Sequence, residues 1–175
     1  MGKFLAVLLV LSAILAGGGM YYLQEYHFYE EVQGTEVETV ELTGLVSGAP
    51  EAIRIEEFEG IDADSSPLRY RACFTTPMSQ ALLTETYETY EDAVPLNAPG
   101  WFECFDAAAI GEGLESGDMI AFLGAANIIY GFDRVVAVDA AGNGFVWHQL
   151  NHCGEMVFDG KPVPEGCPPP PERTE

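Results

Sequence analysis

The sequence is short of positive charge and empty of the usual catalytic signatures. Seven Lys and Arg and three His stand against 28 Asp and Glu, a formal net charge of −21 over 175 residues. A chain this acidic offers no cationic stripe for nucleic acid and is repelled by anionic lipid. No nucleophile elbow, phosphate loop or HExxH is present. Gly44-Leu-Val-Ser-Gly48 reads as a loop, not a hydrolase elbow. Asp62-Ala-Asp-Ser-Ser66 opens like a calcium loop. Its sixth position is Pro67 where glycine is required, and its twelfth is Cys73 where glutamate is required. That excludes an EF-hand and leaves a capped turn as the simplest reading, with a looser calcium site behind it. Carboxylate pairs such as Glu56/Glu57 or Asp62/Asp64 carry no weight, because so many acids produce neighbours by chance. The cysteines show no CxxC spacing, and without CxxCH covalently held haem has no support. No cofactor is expected.

What is present begins with an uncharged run of 20 residues, Phe4 to Leu23. That is the length at which a helix crosses a hydrocarbon core roughly 30 Å thick. A signal-peptide core usually runs only about 7–15 residues. The best cleavage candidate, Ile14-Leu15-Ala16, puts a β-branched residue where a small one is wanted. No cysteine occurs in this region, which excludes lipoprotein processing. Tyr21, Tyr22, Tyr26, Phe28 and Tyr29 follow the run, where interfacial aromatics sit at headgroup level. Residues 1–23 therefore read as an uncleaved signal-anchor, with cleavage after Ala16 or a nearby glycine as the alternative. Lys3 precedes the run, so the amino end should stay cytoplasmic. The rest then lies across the membrane, in the periplasm of a Gram-negative cell. It holds all 28 acids and six of the seven bases, a net −22. Ser12-x-x-x-Ala16 and Ala13-x-x-x-Gly17 give the helix a small-residue face suited to packing against another membrane helix.

Beyond a juxtamembrane connector at 24–35, in which Tyr22, Tyr26 and Tyr29 keep a helical spacing, the hydrophobic period changes to two. Val40, Leu42 and Val46, Ile53 and Ile55, and Leu68 to Phe74 alternate with polar positions. Thr76-Pro77 opens a short helix through Leu83, and Asp106 caps another over 107–114 that stops near Gly117. Trp101–Phe105 looks extended. Met119–Leu123 reads as a buried strand, followed by strands at 128–132 and 135–138. Asp139-Ala-Ala-Gly-Asn-Gly144 turns the chain into Phe145–Leu150 as a hairpin. The Pro-rich segment 154–175 should form no regular element. The expected fold is α+β: one transmembrane helix, then a single domain at 36–153 with a mainly antiparallel sheet and one or two short helices.

Cys73, Cys104, Cys153 and Cys167 fall in the exported part and suggest two disulfides among three connectivities. We favour Cys73–Cys104 and Cys153–Cys167. The second closes a loop of roughly 15 residues, worth on the order of 3 kcal/mol, and pins the Pro-rich tail. A metal site would need His148, His152 and Cys153 to converge with another ligand, and their placement on and beyond a strand argues against it. Arg69 and Arg71 share one face of the expected strand with Cys73. The plain reading is neutralisation of nearby carboxylates, and the functional one is an anion-binding pair. Trp101 and Trp147 read as core or disulfide packing. Twelve acids and one base, Arg54, lie between residues 25 and 64, and residues 72–133 hold ten acids and no base. Such a field favours basic protein partners, and a basic soluble electron carrier is one candidate class.

Two segments, Gly60-Ile-Asp-Ala-Asp-Ser-Ser-Pro-Leu-Arg-Tyr-Arg-Ala-Cys-Phe74 and Phe145-Val-Trp-His-Gln-Leu-Asn-His-Cys-Gly-Glu155, resemble a family of small single-pass bacterial membrane proteins carrying a domain of unknown function. The resemblance implies a bacterial inner-membrane home and no activity. The expectation is a non-enzymatic, membrane-anchored periplasmic accessory or assembly protein of a larger membrane complex. A periplasmic small-ligand or metal-binding module centred on Arg69/Arg71 or His148/His152 is the alternative, and an enzyme comes third.

Overall fold

The computed structural model describes residues 2–32 and 39–171. The end of the expected connector at 33–35, the start of the domain at 36–38 and the tail end at 172–175 lie outside the described residues. Helix α1 (Gly2–Tyr22) has no buried residue, and the helical stretch Gly2–His27 is long and apolar enough to cross a membrane. Its last turn, Leu23–His27, widens to a π-helical turn closed by the Phe28 N–H donating to the Leu23 carbonyl at 3.2 Å.

Among the described residues eight strands and three α-helices follow: β1 (Glu30–Glu31), β2 (Glu41–Thr43), β3 (Pro50–Ala52), β4 (Phe58–Asp62), β5 (Arg71–Thr75), α2 (Gln80–Thr86), α3 (Ala107–Ser116), β6 (Met119–Ile129), β7 (Phe132–Asp139), β8 (Asn143–Leu150) and α4 (His152–Phe158). Six strands form one antiparallel sheet in the order β1-β4-β5-β8-β7-β6, and β2 pairs with β3 in a separate ribbon. The fold is α+β.

Alternation sorts the side chains to two buried faces. Ala72, Phe74, Val136, Val138, Val146 and Phe122 point to one, where Leu42, Ile53 and Leu83 from the ribbon and α2 cover them. Val135, Ala137, Trp147 and Ala121 point to the other, under Phe102, Phe105 and Ile110. Burial on both faces explains why Val135–Val138 is apolar at every position. Extended chain at 88–90 runs beside β6, with the Tyr90 N–H on the Ala121 carbonyl at 2.8 Å and the Leu123 N–H on Glu88 at 2.9 Å. It also receives the ribbon, the Glu88 N–H donating to Thr43 at 2.8 Å. The β6 edge is thereby covered.

Local chemistry moved some boundaries. Pro67 opens a 3₁₀ turn, Pro67–Arg69, capped by the Ser66 hydroxyl, so the strand expected from Leu68 begins at Arg71. The Thr76 hydroxyl donates to the Arg54 carbonyl at 2.7 Å, and the helix starts later, at Gln80, with Ser79 as its cap. Residues 101–104 turn instead of extending, and Val46 is fully exposed on the ribbon's turn. Asp106 does cap α3, accepting from the Ala108 and Ala109 N–H groups, and Gly117 ends it with φ 82°. The tail expected to be irregular from residue 154 carries α4 as far as Phe158, capped by Asn151. The turn between β6 and β7 meets α4 glycine to glycine. A Cβ on Gly131 would lie 2.7 Å from the Gly154 Cα, and only two glycines allow that approach.

Cys73 of β5 is bonded to Cys104, and Cys153 of α4 to Cys167. The first ties the loop before α3 to the middle of the sheet. The second holds the Pro-rich tail against α4.

Candidate functional site

Arg69, Arg71 and Arg134 are held by carbonyls and rings, not by close ion pairs. Arg71 is 4 % exposed. Its Nε donates to the Leu96 carbonyl at 2.8 Å, Nη1 to Leu68 at 2.8 Å and Tyr70 at 2.6 Å, and Nη2 to Asn97 at 3.1 Å. Burial lowers it to about 10, which leaves it charged at neutral pH. A planar fork with five donors suits several carbonyls at once, and here it staples the 96–97 loop to the start of β5. Arg69 turns elsewhere. Its Nη1 donates to the Gln24 carbonyl at 3.2 Å and its guanidinium lies 5.3 Å from the Tyr29 ring centre. Arg134 donates from Nε to His148 Nε2 at 3.1 Å and lies 5.1 Å from the Tyr70 ring centre.

Among the described residues none of these three pairs with a carboxylate. The ion pairs seen are Arg54–Glu56 at 3.8 Å and Lys161–Asp159 at 3.2 Å, both at the surface. Arg71 and Arg134 still act on Asp62 through space, so the compensation of carboxylates expected of Arg71 works at a distance and without an ion pair. Arg69 and Arg71 are not held side by side, since one faces the juxtamembrane turn and the other is enclosed by carbonyls.

The two histidines also part company. His148 is buried and stacked on Tyr70, ring centres 4.7 Å apart. Its Nδ1 lies 2.8 Å from the Pro67 carbonyl, so that nitrogen carries the proton and Nε2 accepts from Arg134. Burial and, after it, the Arg134 charge lower His148 to about 4, against a weaker upward pull from the Pro67 carbonyl. Both ring nitrogens are engaged within the protein. His152 is exposed at the head of α4. Among the described residues no group of three or more His, Cys, Asp or Glu is arranged to hold a metal ion.

A groove of about 640 Å³ lies over the ends of β7 and β8, lined by Tyr90, Asp92, Asn127, Asp133, Asn151 and Glu155 among others. Asp133 is buried at its floor. It accepts from the Tyr90 hydroxyl at 3.3 Å, the Asn127 N–H at 2.8 Å and the Asn151 amide at 2.7 Å. Burial and the Asp133 charge push the Tyr90 hydroxyl well above its ordinary value, so it stays a donor. Sequence reasoning passed over this network. The charged pair Asp133-Arg134 at the head of the apolar run Val135–Val138 was the available signal.

The third polar assembly joins the apolar helix to the domain. The Trp101 indole N–H donates to the Glu25 carbonyl at 2.6 Å, and the Gly100 N–H donates to the Glu25 carboxylate at 3.0 Å. Tyr26 stacks on Trp101 with ring centres 6.5 Å apart, and Tyr22 stacks on Tyr26 at 5.9 Å. Arg69 bonds the same turn through Gln24. Trp101, read from sequence as core or disulfide packing, is instead partly exposed at this seam, while Trp147 is fully buried. Ser12, Ala13, Ala16 and Gly17 are exposed on α1, and the Ser12 hydroxyl donates within the helix to Leu9 at 3.0 Å.

No curated protein and no solved structure matches the chain. A family model does, across residues 40–168, which takes in all four cysteines, Arg71, the Asp133 network and the Trp101 loop, and leaves out the apolar helix. The protein thus belongs to the family of unknown function DUF6446.

Proposed function

We propose that this protein is a single-pass accessory or assembly protein of a larger membrane complex, anchored by α1 in a bacterial inner membrane with its disulfide-linked domain in the periplasm. The observation that carries the reading is what the arginines do. Arg69, Arg71 and Arg134 are directed at carbonyls, rings and a histidine, and with all three of their charges counted the exported part still sums to −22, a field that acts on whatever approaches the domain. A basic protein surface is the partner that such a field attracts. The apolar helix, with no residue buried, supports a second and independent contact through its Ser12/Ala16 and Ala13/Gly17 face. The alternative of a small-ligand module has less to stand on, since Arg71 is enclosed by four backbone carbonyls and both ring nitrogens of His148 are engaged within the fold.

The two contacts respond to different perturbations. Raising the ionic strength from 0.01 M to 0.15 M shortens the Debye length from about 30 Å to about 8 Å. Association through the acidic domain should weaken strongly, mainly through a slower on-rate. Association through α1 should ignore salt but suffer when Ala13 and Ala16 are both replaced by Leu, which blocks close helix approach. Co-purification of wild type and Ala13→Leu/Ala16→Leu at both salt levels reads this directly. If neither change alters what co-purifies, or the protein migrates alone throughout, the accessory reading fails.

A further inference from the structure

We infer that Trp101 is a second membrane contact, seated in the zwitterionic headgroup layer, and that it makes the domain lie against the bilayer instead of hanging from a tether. The inference rests on the anchored reading above and extends it from the helix to the domain. The depth follows from chain geometry. The uncharged run Phe4–Leu23 spans about 30 Å as a helix, which matches the hydrocarbon core. Tyr26 is three residues further on, about 4–5 Å past the boundary. The interfacial layer on each side is roughly 5–7 Å thick, so Tyr26 falls inside it.

Trp101 is held to that level by two bonds and a stack. Its N–H is 2.6 Å from the Glu25 carbonyl, its ring is stacked on Tyr26, and the neighbouring Gly100 N–H binds the Glu25 side chain. An amphipathic indole that is 36 % exposed, with its N–H satisfied, is the side chain that favours this zone. The contact is also stiff. Three residues beyond Trp101, Cys104 is bonded to Cys73 in the middle of the sheet, and Phe102 is buried in the core. Arg69 holds the other side of the same turn. The acidity of the domain argues against an anionic headgroup and for a zwitterionic one.

The test uses the full-length protein reconstituted in phosphatidylcholine vesicles, with nitroxide quenchers either on the headgroup or deep on the acyl chain. Trp147 is fully buried in the protein core and serves as an unquenched internal reference. Headgroup nitroxide should remove the greater part of the Trp101 emission, about twofold more than the deep nitroxide, as expected for an interfacial indole. The quenched component should be absent from Trp101→Phe, which keeps an aromatic ring at the seam. Flotation of the same vesicles separates the two claims. Protein that floats but shows no headgroup quenching, or equal or greater deep quenching, overturns the second contact and leaves the anchor intact. Protein that does not float overturns the anchor, and the contact with it.

Discussion

Replacing Arg71 with Met should destabilise the domain by about 3–5 kcal/mol, the range expected when a buried charged hub is removed and its partners are stranded. The carbonyls of Leu68, Tyr70, Leu96 and Asn97 all converge on this one guanidinium. Methionine fills the stem but satisfies none of them. Arg71→Lys keeps the charge yet offers a point donor where a fork is needed, so it should recover only part of the loss. Arg69→Met is the contrast. That guanidinium gives one carbonyl bond and one ring contact at a half-buried position, and about 1 kcal/mol is expected from its loss. Urea unfolding of the oxidised full-length protein in detergent reads all three. Equal effects of Arg69→Met and Arg71→Met would contradict the assignment of Arg71 as the hub.

The second large effect is acid sensitivity through His148. Its folded value of about 4 lies below the ordinary 6.5, so between those limits the unfolded chain binds the extra proton and stability rises with pH. The contribution is complete above about pH 6.5 and is lost as the pH falls towards 4. At 1.4 kcal/mol per unit the total is about 3 kcal/mol. The physical event is a proton arriving on Nε2, which turns the acceptor of the Arg134 bond into a second donor facing a cation. The Pro67 carbonyl, the Tyr70 ring and, more distantly, Arg71 complete the surroundings. Asp62 acts in the opposite sense, because burial raises its carboxyl and folding then favours the protonated form at low pH. Comparison with His148→Gln removes that background, which both proteins share. The wild type should lose about 3 kcal/mol more than the variant between pH 7 and pH 4. Parallel stability curves would refute the buried neutral histidine.

What could be read in the sequence was what depends on neighbours along the chain. Alternation in Phe145–Leu150 and the apolar Val135–Val138 placed β7 and β8, and Asp106 and Gly117 marked α3 through their own backbone preferences. Cysteine spacing and compartment favoured the pairing that the fold adopts. The misplaced boundaries are cases where a single side chain outweighed a pattern, as when Ser66 and Pro67 closed a turn inside an apparently alternating strand. The candidate sites were far less legible, for a different reason. Arg71 meets Leu96 across 25 residues, Trp101 meets Glu25 across 76, and His148 meets Pro67 across 81. No local period encodes such contacts. They turned residues that looked available for ligands into parts of the frame, and they moved Trp101 from the core to the seam.

The central claim is that one uncleaved helix holds this domain on the outer face of a membrane. Limited proteolysis of intact spheroplasts, followed by mass measurement of the native chain, tests it most directly. The account predicts that the untreated protein stays in the membrane fraction with residues 1–23 still attached, and that external protease removes the domain. A chain that begins near Gly17 and is released by osmotic shock, or a domain that external protease cannot reach until the membrane is broken, would contradict it.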